Sequence, residues 1–302
     1  MSLKPNDQPA VNRASVSCVI PTHNRPTELH RALDSALLQS VPLREIVVVD
    51  DAASVEVAKL VDLQQAKTHV RIILITLSES DKRGASRSRN AGVEHVTGEF
   101  VAFLDDDDYW DPDFIARTLP DPTQHDIGFS WMDVRTEAGV VLSERRGFAP
   151  TVAQQVVTRN PGFTGSNFII RRDCFHGLDG FDEDLRAYND IDFLVRAVSR
   201  GHRIHVAEAV LVHQMIGEGE HLSSRSKRRA KAIRAYARKH DSLLNGADRR
   251  RLRRDYHLSL RGSDASRVER AMHFVLMWMN STPVDLSRTW NQRAAGAKRA
   301  YG

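Results

Sequence analysis

Residues 99–108 read EFVAFLDDDD, a strand-length apolar run that stops at four consecutive aspartates. Aromatic and β-branched residues without a polar alternation predict a strand covered on both faces. Three similar runs precede it: SVSCVI at 15–20, REIVVV at 44–49 and VRIILIT at 70–76. Amphipathic stretches at 26–39, 53–65 and 84–95 separate them and predict helices. Strands alternating with helices of this length predict βαβ units with right-handed crossovers, hence an α/β, Rossmann-like, mainly parallel sheet with helices on both faces. Ligands of such sheets bind beyond the carboxyl ends of the strands. Three of the four ends are polar: Pro21-Thr22-His23-Asn24-Arg25, Asp50-Asp51, and Asp105 to Asp108.

The 302 residues are 41% hydrophobic and 27% charged, a soluble globular composition rather than a disordered or fibrous one. Two cysteines, Cys18 and Cys174, exclude a disulfide scaffold and a cysteine-built metal site, and suit a reducing compartment. Apolar runs are strand-sized, well short of the roughly 18 residues of a membrane span. The polar stretch 1–14 has no secretion-signal core, so a cytoplasmic location is expected. The net charge of +4 hides an asymmetry. Residues 221–302 carry 20 Lys and Arg against 6 Asp and Glu, a net +14, and the first 220 residues carry −10. The basic part is expected to face something anionic.

A polar tail (1–14), a catalytic domain (15–215) and a basic helical C-terminal region (216–302) are the expected units. Short strand-like pieces between 126 and 158 suggest an antiparallel extension. Residues 165–170, 202–206 and 210–213 read as strands, and 189–200, 223–240, 247–260 and 265–280 as helices. The apolar run Phe274 to Met279 is expected to pack against the catalytic domain. Helix 223–240 is the candidate for peripheral contact with an anionic membrane surface at the inner face. Nucleic acid is not an expected partner, since no recognition motif accompanies the charge.

Four adjacent carboxylates at a sheet rim repel one another and are poorly solvated. A divalent cation relieves both penalties, and hard oxygen donors suit Mn²⁺ or Mg²⁺. The plainer reading is a solvated turn beside the helix cap Asp111-Pro112.

The ordered set of 19–25 (VIPTHNR), 48–51 (VVDD), 87–92 (RSRNAG), 103–110 (FLDDDDYW), 180–183 (GFDE) and 189–192 (NDID) resembles the family-2 glycosyltransferases of GT-A fold. The resemblance is strong over about 15–115, moderate over 162–213 and absent beyond. It implies a nucleoside-diphosphate-sugar donor, by family habit a UDP-sugar, a divalent metal, and inversion at the anomeric carbon during transfer to a glycan or lipid-linked acceptor. Carried onto this chain, Pro21, His23, Asn24, Arg25 and Asp50 would hold the nucleotide, with Asp106 near the ribose and Arg83 and Arg87 near the diphosphate. Asp105 and Asp107 would hold the metal, with the late His213 as a third ligand. Asp190 would be the general base. Trp110, Asn189 and Asp192 would lie on the acceptor side, where Trp131 and Phe163 are further candidate sugar platforms. The family's usual Glu-Asp pair is Asn189-Asp190 here, which removes one acid; Asp192 is the alternative base. Lacking membrane spans and the Gln-x-x-Arg-Trp signature of processive synthases, the chain is expected to add single sugars. The other readings are a nucleotidyltransferase making a nucleotide-sugar, disfavoured because no glycine-rich basic loop follows the first strand, and a non-catalytic nucleotide-sugar-binding module.

Overall fold

The computed structural model describes residues 14–78, 84–216, 226–261 and 266–282. Arg83, a candidate diphosphate ligand, lies outside the described residues, as do 223–225 of the first basic helix.

The N-terminal half is a parallel sheet of β1 (Val16–Thr22), β2 (Glu45–Asp50), β3 (Arg71–Thr76) and β4 (Phe100–Phe103), ordered β3-β2-β1-β4. Its crossovers are α1 (Pro26–Leu37), α2 (Val55–Gln65) and α3 (Ala85–Val93). Proline at its first turn starts α1, and Leu29, Ala32, Leu33 and Ala36 form the stripe it buries. β1 runs two residues past its expected end, taking Pro21 and Thr22 into the sheet.

Beyond β4 the sheet is mixed. The aspartate run itself enters a short strand, β5 (Asp108–Trp110), followed by α4 (Phe114–Thr118). β6 (Ile127–Thr136) and β7 (Val141–Arg145) form the expected antiparallel extension, and β8 (Phe168–Arg171) lies antiparallel to β4. After α5 (Arg172–Gly177) and α6 (Asn189–Ser199) comes β9 (Ile204–Ile216), one bulged strand where two were expected. It pairs parallel with β6 and antiparallel with β5, which seats Tyr109 opposite His213.

Alternate strand residues feed two cores. Cys18, Ile20, Ile46 and Val48 pack beneath α1, α2 and α4. Val19, Val47, Val49, Val101 and Phe103 face the other side, against α3 and α6. The basic helices α7 (Lys227–Lys239) and α8 (Gly246–Arg261) join this second core through Ile233, Tyr236 and Leu252. Tyr236 is wholly buried, and its hydroxyl donates to the Val157 carbonyl at 2.7 Å. The last described helix, α9 (Arg267–Met279), lies on α8. Contrary to expectation, its apolar run does not pack inward: Phe274, Val275, Trp278 and Met279 are exposed. No described helix is long and apolar enough to cross a membrane.

Candidate active site

The carboxyl ends of β1, β2 and β4 meet at one rim. Register sets Thr22 beside Asp50, and the Thr22 hydroxyl donates to Asp106 Oδ2 at 2.8 Å. Asp50, expected to hold the nucleotide, closes the end of β2. It is buried, and its oxygens accept the amides of Ala52 (2.9 Å) and Ser54 (2.6 Å), so it builds its own turn. Asp51, to which the sequence reading gave no role, accepts the Gly84 amide at 3.1 Å and meets His23 Nδ1. It thereby ties the β1 and β2 turns to the start of α3. Gly84 has φ +132°, a conformation open to glycine and strained for other residues. Pro21 is buried within β1, whereas His23 and Asn24 are exposed at the rim, Asn24 in the left-handed region.

The four aspartates alternate. Asp106 and Asp108 are buried, while the side chains of Asp105 and Asp107 are 31% and 26% exposed. Burial and the neighbouring charge of Asp107 push the Asp106 carboxyl up to about 7. Burial raises that of Asp108 well above the usual carboxylate range. Arg25 answers part of this charge, with Nη1 at 3.1 Å from Asp107 and 3.5 Å from Asp106. The Oδ1 atom of Asp108 is buried without a hydrogen-bond partner. Crowded carboxylates, two buried and two facing outward, fit a hard divalent cation.

Arg89 connects this run to the far side of the cleft. Its buried guanidinium meets the Asp105 carboxylate and lies over the Phe181 ring, 5.3 Å from its centroid. A Cβ on Gly165 would stand 2.1 Å from Arg89 Nη2, so only glycine lets the loop before β8 approach so closely. Asp190, at the start of α6, feels the charges of both Arg89 and Asp105. Burial raises its carboxyl, and the Ile191 amide, donating to Oδ1 at 2.9 Å, resists that rise. The α6 start is itself pinned to α3: Asn189 Nδ2 donates to Ser86 Oγ at 2.9 Å. The sequence expectation sets Arg83 and Arg87 near the diphosphate and gives Arg89 no role. Arg87 instead stands 3.8 Å from Glu183. The available signal was the spacing Ser86, Arg89, Val93, one inward face of a helix.

His213 lies beside the aspartate run, its ring 4.7 Å from that of Tyr109. Its Nδ1 meets Asp133 Oδ1 at 2.8 Å, the carboxylate support that commonly orients a metal-binding imidazole.

Four acceptor-side expectations are corrected. Trp110 is buried, stacked on Phe114, with its indole N–H donating to the Ser166 carbonyl at 2.7 Å, and presents no free face to a sugar. Phe163 is a core residue, and the Trp131 ring is covered by Arg146. Asp192 is wholly buried among Arg196, Lys239 and His240, each 2.8 Å away. Burial alone would raise its carboxyl, but these partners hold it down to about 2, so it is a structural anion and not an alternative base. Among the described residues, the cluster whose metal-type ligand atoms lie within common reach of one ion is Asp126, Cys174 and His202; Asp105, Asp107 and His213 are not drawn together to that degree. The cluster lies at the opposite end of the strands, where β4 begins. There Arg171 stands 3.9 Å from Asp126, and burial pushes the Cys174 thiol up to about 11.

A family model described as Glycosyl transferase family 2 matches residues 17–178, more than half of the chain. The chain is 26% identical over 217 residues to poly(ribitol-phosphate) beta-N-acetylglucosaminyltransferase TarS of Staphylococcus aureus, covering 69% of this chain and 37% of TarS. It is 30% identical over 228 residues to the succinoglycan biosynthesis protein ExoO of Rhizobium meliloti, covering 70% and 64%. It thus spans about two-fifths of TarS and just under two-thirds of ExoO. Among solved structures, TarS 1–349 in complex with UDP-GlcNAc aligns over 87% of this chain and 79% of its own, with TM-score 0.58 and 21% identity. The mannosyltransferase PcManGT of Pyrobaculum calidifontis, in complex with GDP-Man and Mn²⁺, aligns over 97% and 82%, with TM-score 0.60 and 21% identity. The curled mixed sheet is therefore a GT-A fold, and the chain belongs to glycosyl transferase family 2.

Proposed function

We propose that the protein is a metal-dependent inverting glycosyltransferase that moves one sugar from a nucleoside-diphosphate sugar, a UDP-sugar in the first instance, to a hydroxyl of a glycan or lipid-linked acceptor. The reading rests on one observation: Asp105, Arg89 and Asp190, from three separate segments, converge beside the Thr22–Asp106 contact at the carboxyl end of the sheet.

Asp190 accepts the proton of the acceptor hydroxyl as its oxygen attacks the anomeric carbon from the face opposite the diphosphate, and the bond from that carbon to the diphosphate oxygen breaks. The raised pKa of Asp190 makes it a better proton acceptor than an exposed aspartate. One displacement inverts the anomeric centre. Asp105 and Asp107, with His213, would hold Mn²⁺ or Mg²⁺, which when bound neutralises charge growing on the departing diphosphate. Arg89 holds Asp105 in place, so that oxygens face the donor without reorganisation. His23, Asn24 and Arg25 flank the nucleotide side, and Asn189 fixes the start of α6 through Ser86. The complexes of TarS with UDP-GlcNAc and of PcManGT with GDP-Man and Mn²⁺ support a nucleotide-sugar donor and a divalent ion.

The test is donor turnover by Asp190→Asn. Transfer should fall by about 10²- to 10⁴-fold, the usual worth of a general base, while the nucleotide still raises the melting temperature as in the wild type. Wild-type rates in the variant would refute the assignment.

A further inference from the structure

The C-terminal helices carry charge and apolar surface that the transfer reaction does not use. On α9, Val268, Met272, Val275 and Met279 follow one another at spacings of four, three and four, which aligns them on one face of the helix. With the neighbouring Trp278 they are between 49% and 79% exposed. The opposite face is occupied: Met277 is buried, His273 meets His257 of α8 at 3.1 Å, and Arg261 lies over the Phe274 ring, 4.8 Å from its centroid. The exposed stripe is therefore a second face, left over after α9 has packed. A contiguous apolar patch of this kind on a water-soluble surface marks an interaction site.

The surroundings identify the occupant. Arg267 is exposed on α9 itself, beside Trp278 at the border of the stripe. Lys227, at the start of α7, exerts its charge on Glu269, and Arg228, Lys231 and Arg234 are exposed along the same helix, which packs on α8 as α9 does. The region from 221 to 302 carries a net +14. A second copy of the chain would bring two surfaces of the same sign together, which opposes association. An anionic bilayer offers both complements at once: an apolar boundary for Val275 and Met279, and lipid phosphates for the arginines. One weak apolar signal rarely anchors a protein, whereas an apolar face combined with a basic patch does. Tryptophan at such a boundary suits the headgroup level.

We propose that α9 is a membrane-surface helix: its Val268–Met279 stripe enters the headgroup boundary of an anionic bilayer, and the flanking Arg and Lys residues of α7 and α9 pair with lipid phosphates. The proposal is independent of the transfer chemistry.

Flotation of the full chain with vesicles tests it. Vesicles containing phosphatidylglycerol should carry the protein, and pure phosphatidylcholine vesicles should carry about tenfold less, since anionic headgroups attract each surface Lys and Arg. The double variant V275E/M279E should lose the binding by about tenfold or more while melting at the wild-type temperature, because both side chains are already exposed. Arg267→Gln with Lys231→Gln should narrow the difference between the two vesicle types. Equal flotation of V275E/M279E and wild type would overturn the proposal, as would equal binding to both vesicle types. A concentration-dependent dimer that V275E/M279E abolishes, with no vesicle binding by the wild type, would assign the stripe to a second copy instead. Loss of the nucleotide-dependent melting shift in the wild type would refute the transferase reading and leave this one standing.

Discussion

At the residue scale the site is a problem of charge placement. Four aspartates follow β4, and the turn they form before β5 divides them into buried and outward pairs. The composition of the run could not reveal which pair faces out, because all four positions carry the same side chain. The division follows from the entry of Asp108 into β5, opposite Gln214. Arg89 was obscure for a related reason: four cations lie within 82–89, and only the packing of α3 decides which one turns inward. Arg89→Lys should lower transfer by about tenfold or more, because an ammonium cannot reproduce the planar fork that holds Asp105. The nucleotide-induced melting shift of that variant should also shrink. Wild-type transfer would show that the guanidinium does not position Asp105.

At the element scale, β1 to β4 and their crossover helices were legible because local periodicity and burial agree there. β5, with three residues, was not, and neither was the union of the two strands expected at 202–206 and 210–213 into the single bulged β9, since both depend on pairing with distant chain. The meeting of the loop before β8 with α3 was equally hidden. It requires Gly165, and a methyl group there would overlap Arg89 Nη2. Gly165→Ala should therefore displace the guanidinium, lower transfer in parallel with Arg89→Lys, and cost stability in the range of about 1–3 kcal/mol expected for overpacking. Chemical denaturation of the variant measures the second effect, and an unchanged midpoint with full activity would contradict the close approach.

At the scale of the whole molecule, the basic C-terminal helices are part of the fold. Tyr236 of α7 packs among residues from the central sheet, and Asp192 of α6 binds Lys239 and His240 at the end of α7. The charge imbalance in the sequence exposed the basic character of this region but not its docking, which depends on Ile233, Tyr236 and Leu252 scattered among arginines. Asp192 predicts a pH dependence. Its carboxyl titrates near 2 in the folded state and near about 4 when unfolded, so its contribution to stability is complete above about pH 4 and is lost as pH falls towards 2. Asp192→Asn should lower stability at neutral pH and flatten this acid limb in denaturation followed from pH 6 to about 2. A parallel acid limb in the variant would mean that other groups control it. Tyr236→Phe leaves the Val157 carbonyl buried without its donor and should cost about 1–3 kcal/mol across one cooperative transition.

The claim on which the rest depends is that the strand-end carboxylates and the nucleotide hold a divalent cation together. The melting temperature of the wild-type chain with UDP, with Mn²⁺ and with both measures this directly, because a ligand that binds only the folded state raises it by mass action. The account predicts a shift with both that exceeds the sum of the separate shifts, abolished by Asp105→Asn with Asp107→Asn. No shift with UDP, in the presence or absence of Mn²⁺, or a cooperative shift that survives the double substitution, would contradict it.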